Sequence, residues 1–293
     1  MTVMTSGAER CVVQREGVGA TARIIQRRAL LLTRIVVDLP TLMVVRQGSK
    51  RLIGPGGEIT IPAGGAAAIA GGRIFDVINR PAAGGIYEAE WLVCDPAVIA
   101  GFAADGEGAG RPIAEAMAIG TMAPDFASAV DRARAAVFAG GDLPHMVAVQ
   151  RIREVLGWIG HHGGRFAAPP PPSVAARIRA LVSRDLRAAW RSNDLAGRLA
   201  MSEATLRRRL AAEGLSLTGL LVDIRMSHAL MLLQATDLGI TRIAFDVGYD
   251  SPSRFAARFR QRFGHPPAAV REHVSVRMAV QPYADENAGI SAK

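Results

Sequence analysis

Hydrophobic residues in the first half of the chain come in short runs separated by glycine-rich turns. The apolar runs lie at 35–37, 42–45, 58–61 and 91–93, and the turns lie at 54–57, 64–65, 71–72 and 84–85. Many short apolar runs between Gly and Pro turns are typical of strands in a sandwich or a small barrel. The pattern therefore predicts β-structure over about residues 24–95.

From Arg111 onward the pattern becomes helical. Apolar residues that recur at spacings of three and four lie on one face of a helix, and here they are Met146, Val149, Ile152, Val155, Leu156 and Ile159. This face either packs on the β-structure or forms the seam of a dimer. The first 23 residues and the end of the chain show no such pattern, and we expect both to be poorly ordered.

Four consecutive prolines at 169–172 mark a boundary between domains. Such a run excludes a helix interior or a sheet ladder and favours a stiff spacer. We predict an N-terminal domain over residues 1–166, a linker over 167–173, a second domain over 174–275 and a disordered tail over 276–293. Ser173 is placed to cap the helix that follows the linker.

The second domain contains an imperfect internal repeat, with one copy at 194–210 and the other at 242–259. Each copy predicts a short helix, a tight turn and a second helix, and the small residues Ala196 and Ala244 lie where the two helices cross. The matched apolar positions are Leu199 with Val247, Leu206 with Phe255 and Leu210 with Phe259. Each copy is therefore a predicted helix-turn-helix motif.

We call the second helix of each copy a reading helix and predict these helices at about 203–213 and 252–263. Ser202 and Ser251 are placed to cap them. Between the copies, the apolar pattern predicts one helix of about 18 residues, roughly 27 Å long at ~1.5 Å per residue. Such a rod suits two reading helices in adjacent major grooves, which lie roughly 34 Å apart.

Positive charge is concentrated in the region that contains the repeat. The net charge is +9, and residues 173–293 hold 18 of the 35 lysines and arginines but only 11 of the 26 acidic residues. A basic domain attracts nucleic acid or an anionic membrane, and short duplicated helices fit a membrane surface poorly. We therefore predict double-stranded DNA as the partner. The arginines expected to neutralise phosphates are Arg209, Arg258, Arg260 and Arg262.

Residues 173–275 resemble the DNA-binding domain of the AraC/XylS transcription regulators. The resemblance is densest at 240–271, where the Gly248-Tyr249 turn is followed by Phe-x-x-x-Phe and then by Gly-x-x-Pro-x-x-x-Arg, which ends at Arg271. By position, the resemblance implies contacts to base edges from one set in each reading helix: Ala204, Arg207 and Arg208 in the first, and Ser253, Arg254 and Ala257 in the second.

The resemblance also implies an α+β fold. An N-terminal cupin-like β-barrel with helices would precede an all-α domain with two helix-turn-helix motifs joined by a long helix. It implies a homodimer that binds RNA polymerase and acts as an activator, with a small-molecule effector and no cofactor. An acidic or fatty effector would suit Arg46 or Arg51 at the mouth of a hydrophobic interior.

Two alternatives stay open. In one, the N-terminal domain is only a dimerisation or protein-interaction module without an effector. In the other, it is an enzyme fused to a DNA-binding domain; residues 1–144 contain no histidine, so this enzyme would lack the histidine metal site of cupin oxygenases. The chain has neither an uncharged apolar run long enough for a membrane span nor the pattern of a signal peptide. We expect a cytoplasmic protein.

Overall fold

The structure of the protein is a computed structural model that describes residues 12–167 and 173–271. The linker prolines and the predicted tail at 276–293 lie outside the described residues. Strands dominate the N-terminal part: β1 Val12–Arg15, β2 Gly19–Gln26, β3 Leu30–Val37, β4 Thr41–Gln47, β5 Ser49–Gly54, β6 Gly57–Pro62, β7 Gly65–Ile69, β8 Arg73–Arg80, β9 Tyr87–Cys94, β10 Arg111–Pro112, β11 Ala116–Thr121 and β12 Gly164–Arg165.

These strands form two main antiparallel sheets that share a core. One sheet has six strands in the order β1-β2-β9-β4-β7-β11, and the other has four in the order β3-β8-β5-β6. Alternation along β4 explains how the first sheet is buried on both faces: Met43 and Val45 point to the four-stranded sheet, while Leu42 and Val44 point to a layer of helices. The N-terminal domain is therefore built of two sheets and a helical layer.

The helical layer consists of α1 Pro96–Ala104, α2 Pro124–Phe138 and α3 His145–His161. Ile152, Val155 and Ile159 of α3 are fully buried in the core beneath the six-stranded sheet. The apolar face predicted at 146–159 therefore packs within the chain, and its use as a dimer seam is wrong. Met146, at the start of the helix, remains 69% exposed.

Three expectations for this domain are wrong in detail. The first 23 residues are not uniformly without structure, because β1 and most of β2 lie among them and pair with each other. Helices begin at α1, before Arg111. After Arg111 the chain forms the strand β11, which pairs with β7. Its sequence has small apolar residues around Met117 and Ile119, so it lacks the alternation of apolar and polar residues that would have identified it as a strand.

A buried polar cluster links the two sheets, because Lys50 and Asn79 lie in the four-stranded sheet and Gln26 lies in the six-stranded sheet. Lys50 is only 5% exposed, and its Nζ donates to Asn79 Oδ1 at 2.9 Å. Asn79 Nδ2 in turn donates to Gln26 Oε1 at 3.0 Å. Burial lowers the pKa of the Lys50 ammonium to about 7, because the charged form loses its water.

The C-terminal domain is entirely helical among its described residues. Its helices are α4 Val174–Val182, α5 Ser192–Arg198, α6 Glu203–Ala212, α7 Leu217–Ala235, α8 Ile240–Asp246, α9 Pro252–Phe263 and α10 Pro267–Arg271. Ser173 caps α4 as predicted, because its Oγ accepts from Ala176 N at 3.2 Å. The chain thus has the predicted α+β class, with antiparallel sheets followed by a helical domain.

Candidate nucleic-acid interface

The first helix-turn-helix motif consists of α5, a turn and α6. Leu195 and Ala196 of α5 meet Leu206 and Leu210 of α6, and all four are buried. This is the packing that the repeat predicts, with the small Ala196 where the helices cross. The turn contains Ala200 at φ +54°, a left-handed conformation that costs a non-glycine residue energy.

The second motif consists of α8 and α9 and has a larger aromatic core. Phe255, Phe259 and Phe263 lie on one face of α9 and are almost completely buried, with the Phe259 and Phe263 ring centroids 4.8 Å apart. Gly248 in the turn has φ +83°, and a Cβ there would lie 2.4 Å from the carbonyl oxygen of Leu186. The glycine of the family pattern therefore meets both a conformational and a steric requirement.

The ends of both reading helices follow the predicted capping chemistry. Ser202 Oγ accepts from Thr205 N at 3.2 Å, and Ser251 Oγ accepts from Arg254 N at 3.4 Å. Gly264 ends α9 in the left-handed conformation with φ +80°. The predicted bounds agree with α9 and differ by one residue at the end of α6.

The bridging helix α7 has 19 residues, so it is about 28 Å long at 1.5 Å per residue. Arg225 fixes it to the segment that precedes the first motif: its Nε donates to the carbonyl oxygen of Leu186 at 3.2 Å, and its Nη2 donates to that of Ala188 at 3.1 Å. Arg271, which ends the family pattern, also makes a structural contact, since its Nη1 donates to Thr236 O at 2.6 Å.

Every residue of α6 that the sequence assigns to DNA contacts lies on the exposed face of this helix. Ala204, Arg207 and Arg208 are exposed, and their spacing of three and four places them on one face. Arg209 is also exposed. Within the described parts of the chain, none of the three arginines has a side-chain hydrogen bond or ion pair, so their guanidinium groups are available to an anionic partner.

The exposed face of α9 forms a shallow depression next to the turn of the second motif. Its volume is about 510 Å³, and it is lined by Tyr249, Arg254, Ala257, Arg258 and Gln261. Burial raises the pKa of the Tyr249 hydroxyl, which therefore stays protonated at neutral pH and can donate a hydrogen bond. Ser253 and Arg260 are exposed on the same helix.

Arg262 differs from the other arginines of α9. Its side chain is only 11% exposed, and its Nε donates to Asp223 Oδ1 of α7 at 2.6 Å. Its Nη1 and Nη2 donate to the carbonyl oxygens of Thr33 and Arg34 in β3 at 2.9 and 2.6 Å. All three nitrogens are thus engaged, and in this arrangement Arg262 does not offer the phosphate contact that the sequence predicts.

Sequence reasoning missed the strand residues that pack beside Arg262. Leu30 and Leu32 of β3 are buried in the same cluster as the helix-turn-helix core. Their apolar character predicts burial, but no local pattern indicates that β3 packs against α9, more than 200 positions later in the chain. Asp223 was also missed, because its partner Arg262 lies 39 positions away on another helix.

The arginines named for an acidic effector are already paired. Arg46 Nε lies 2.7 Å from Glu90 Oε2, and the same side chain also pairs with Asp131. Arg51 pairs with Glu58. These ion pairs neutralise both guanidinium groups, so the suggested role of Arg46 and Arg51 at the mouth of an interior has no support in this arrangement.

Neither a metal site nor a membrane span is evident in the parts of the chain that the structure describes. No three His, Cys, Asp or Glu side chains come together there in a way that would hold a metal ion. No single helix among these residues is long and apolar enough to cross a membrane; α6 and α7 would pass only as a pair, and they are bent by 68° at the break. The leucines of both helices belong to the helix-turn-helix core.

Comparison with protein families identifies a helix-turn-helix domain over residues 195–273. The virulence regulon transcriptional activator VirF of Shigella flexneri is 35% identical over 95 residues, which cover 32% of this chain and 36% of VirF. The transcriptional regulator SirC of Salmonella typhimurium is 36% identical over 91 residues, or 31% of each chain. The matched region thus spans about a third of these two relatives, one named a transcriptional activator and the other a transcriptional regulator.

The fold is similar to that of a solved structure over most of its length. ToxT from Vibrio cholerae aligns with a TM-score of 0.63 at 12% identity, covering 88% of this chain and 99% of ToxT. A structure of ToxT with a bound unsaturated fatty acid aligns with a TM-score of 0.62 at 14% identity, covering 89% of this chain and 98% of ToxT. The double motif and its matched relatives agree that residues 195–273 form a helix-turn-helix domain of the AraC type, and the chain as a whole has a fold similar to that of ToxT.

Proposed function

We propose that the protein is a sequence-specific DNA-binding transcription regulator that places α6 and α9 in adjacent major grooves of one duplex. The observation that carries this proposal is the pair of reading helices with exposed arginines, each fixed by a buried core and joined by the single helix α7. Exposed arginines without acidic partners are suited to guanine edges and to phosphates. The matched regulators support the same conclusion.

Within α6 we propose different roles for two neighbouring arginines. Arg208 lies on the face shared with Ala204 and is expected to read a base edge, whereas Arg209 points away from this face and is expected to neutralise a phosphate. Replacing Arg208 by Ala should cost about 1–3 kcal/mol of binding free energy on the selected site and relax base preference at one position. Quantitative binding to a randomised DNA library measures both effects.

Arg209→Ala is the matched control, since it removes the same group from the next residue. It should weaken binding to all sequences alike and lower the slope of log affinity against log salt concentration by about 0.9. If Arg208→Ala lowers affinity equally for every sequence, Arg208 is a phosphate contact and the assignment of base contacts in α6 is wrong.

We propose activation as the direction of regulation, because VirF is named a transcriptional activator. Contact with RNA polymerase and homodimerisation follow from the family resemblance and remain predictions. The cupin-like character of the N-terminal domain also remains a prediction.

We further propose that the N-terminal domain binds an acidic amphipathic effector. A cleft of about 450 Å³ lies between the β5–β6 hairpin and the segment 111–117, and this volume is typical of small-molecule sites. Its walls include Leu52, Phe75, Ile113 and Met117, with Arg111 at the rim. The Arg111 side chain has no ion-pair partner among the described residues, so it is available to a carboxylate.

The effector proposal predicts that oleate, used below its micelle concentration, raises the melting temperature of the full-length protein in a concentration-dependent way. Met117→Trp fills the cleft and should abolish the shift, whereas Met146→Trp, on the exposed start of α3, should retain it. No shift with the unchanged protein, or an equal shift in both variants, favours the alternative in which this domain only mediates protein contacts.

A further inference from the structure

We propose that Arg262 has two mutually exclusive partners, the backbone carbonyls of β3 and the phosphates of DNA, so that the N-terminal domain restrains the second reading helix. This inference rests on the proposed function, because it requires α9 to bind DNA. We call the contact between Arg262 and the carbonyl oxygens of Thr33 and Arg34 the β3 latch. The latch joins the two domains at the last turn of α9.

The β3 latch depends on an irregularity in the strand. Pairing between β3 and β8 shifts its register between Leu32 and Ile35, and Arg34 has φ +54°. The backbone N–H of Arg34 donates to Asp76 Oδ1 at 2.7 Å, which fixes the bulge. A bulge of this kind redirects backbone groups that a regular strand would use for pairing, and here both carbonyl oxygens accept from Arg262.

Apolar packing surrounds the latch. Leu32 is 2% exposed and Leu30 is 8% exposed, and both belong to the buried cluster formed by α4 to α10. A second polar contact lies nearby, where Arg179 Nε of α4 is 3.5 Å from Asp38 Oδ1. The β3 strand is therefore docked on the DNA-binding domain through a hydrophobic patch with a charged residue of α9 at its edge.

Competition follows from the burial of the guanidinium. Arg262 donates to Asp223 and to two carbonyl oxygens of β3, and one N–H remains on each Nη. Because only 11% of the side chain is exposed, a phosphate oxygen can accept from these groups only when the guanidinium moves away from β3. The exposed arginines of α9, Arg254, Arg258 and Arg260, make no hydrogen bond or ion pair with β3 among the described residues. Release of the latch should therefore increase DNA affinity without altering the base-reading residues.

Two substitutions at Arg34 distinguish the effect of the latch on DNA affinity from the effect of the Arg34 charge. Valine is β-branched and disfavours a positive φ, so Arg34→Val should flatten the bulge and withdraw the carbonyl oxygens. Arg34→Gly tolerates a positive φ and should preserve the bulge while removing the same charge. We expect Arg34→Val to bind the selected DNA site at least about fivefold more tightly than Arg34→Gly, and the gain should vanish in an Arg262→Met background.

Hydrogen exchange of the full-length protein without DNA gives an independent readout. Amides of residues 252–263 should exchange faster in Arg34→Val than in Arg34→Gly. If Arg34→Val does not fold, Asp38→Asn takes its place. This substitution lies outside both reading helices, weakens the second contact and should shift exchange and affinity in the same direction. Equal DNA affinity of the folded variants would overturn the latch alone, whereas absence of DNA binding in every variant would overturn the proposed function as well.

Discussion

Replacing Phe259 by Ala should accelerate hydrogen exchange of the α9 amides by roughly 10² to 10⁴-fold, because truncating a buried Phe costs about 3–5 kcal/mol. The ring is 0% exposed and lies between Phe255 and Phe263 at centroid distances of 5.7 and 4.8 Å. Its removal leaves a cavity in the middle of the second motif. Exchange at α9 is the appropriate measurement because unfolding of a two-domain chain is not a single transition.

Arg260→Ala is the control for this prediction. Arg260 is the next residue on α9 and is exposed, so its replacement should change the stability of the helix by no more than about 0.5 kcal/mol. It should instead weaken DNA binding. If Phe259→Ala leaves exchange at α9 unchanged, the aromatic core does not hold this reading helix, and its position on DNA cannot depend on that packing.

The helix-turn-helix motifs were predictable because their determinants are local. The spacing of Leu206 and Leu210, the serines before both reading helices and Gly264 after the second each specify structure within a few residues. The duplication strengthened the prediction, since both copies repeat the small residue at the helix crossing. The exposed positions follow directly once the buried face of each helix is known.

The β3 latch was not predictable because it depends on distant residues and on an unusual backbone conformation. A left-handed arginine at 34 has no sequence signature, since this conformation favours glycine. Arg262 carries the same side chain as its exposed neighbours, and only the tertiary arrangement separates it from Arg258 and Arg260. The strand β11 was missed for a related reason: its pairing with β7 overrides a weak local pattern.

The most direct test of the central claim, that α6 and α9 bind consecutive grooves of one duplex, is the dependence of affinity on half-site spacing. A site is first selected from random DNA with the full-length protein, and 5 or 10 base pairs are then inserted between its two halves. The helix α7 has a fixed length of about 28 Å, whereas 10 base pairs add about 34 Å.

Both insertions should therefore lower affinity by at least about fivefold, the loss expected when one reading helix gives up even a single base contact of about 1–3 kcal/mol. The 10-base-pair insertion should not restore binding, although it returns the two halves to the same side of the duplex. Undiminished affinity after either insertion would contradict the account, because it would mean that the two reading helices are flexibly linked or that only one of them binds DNA.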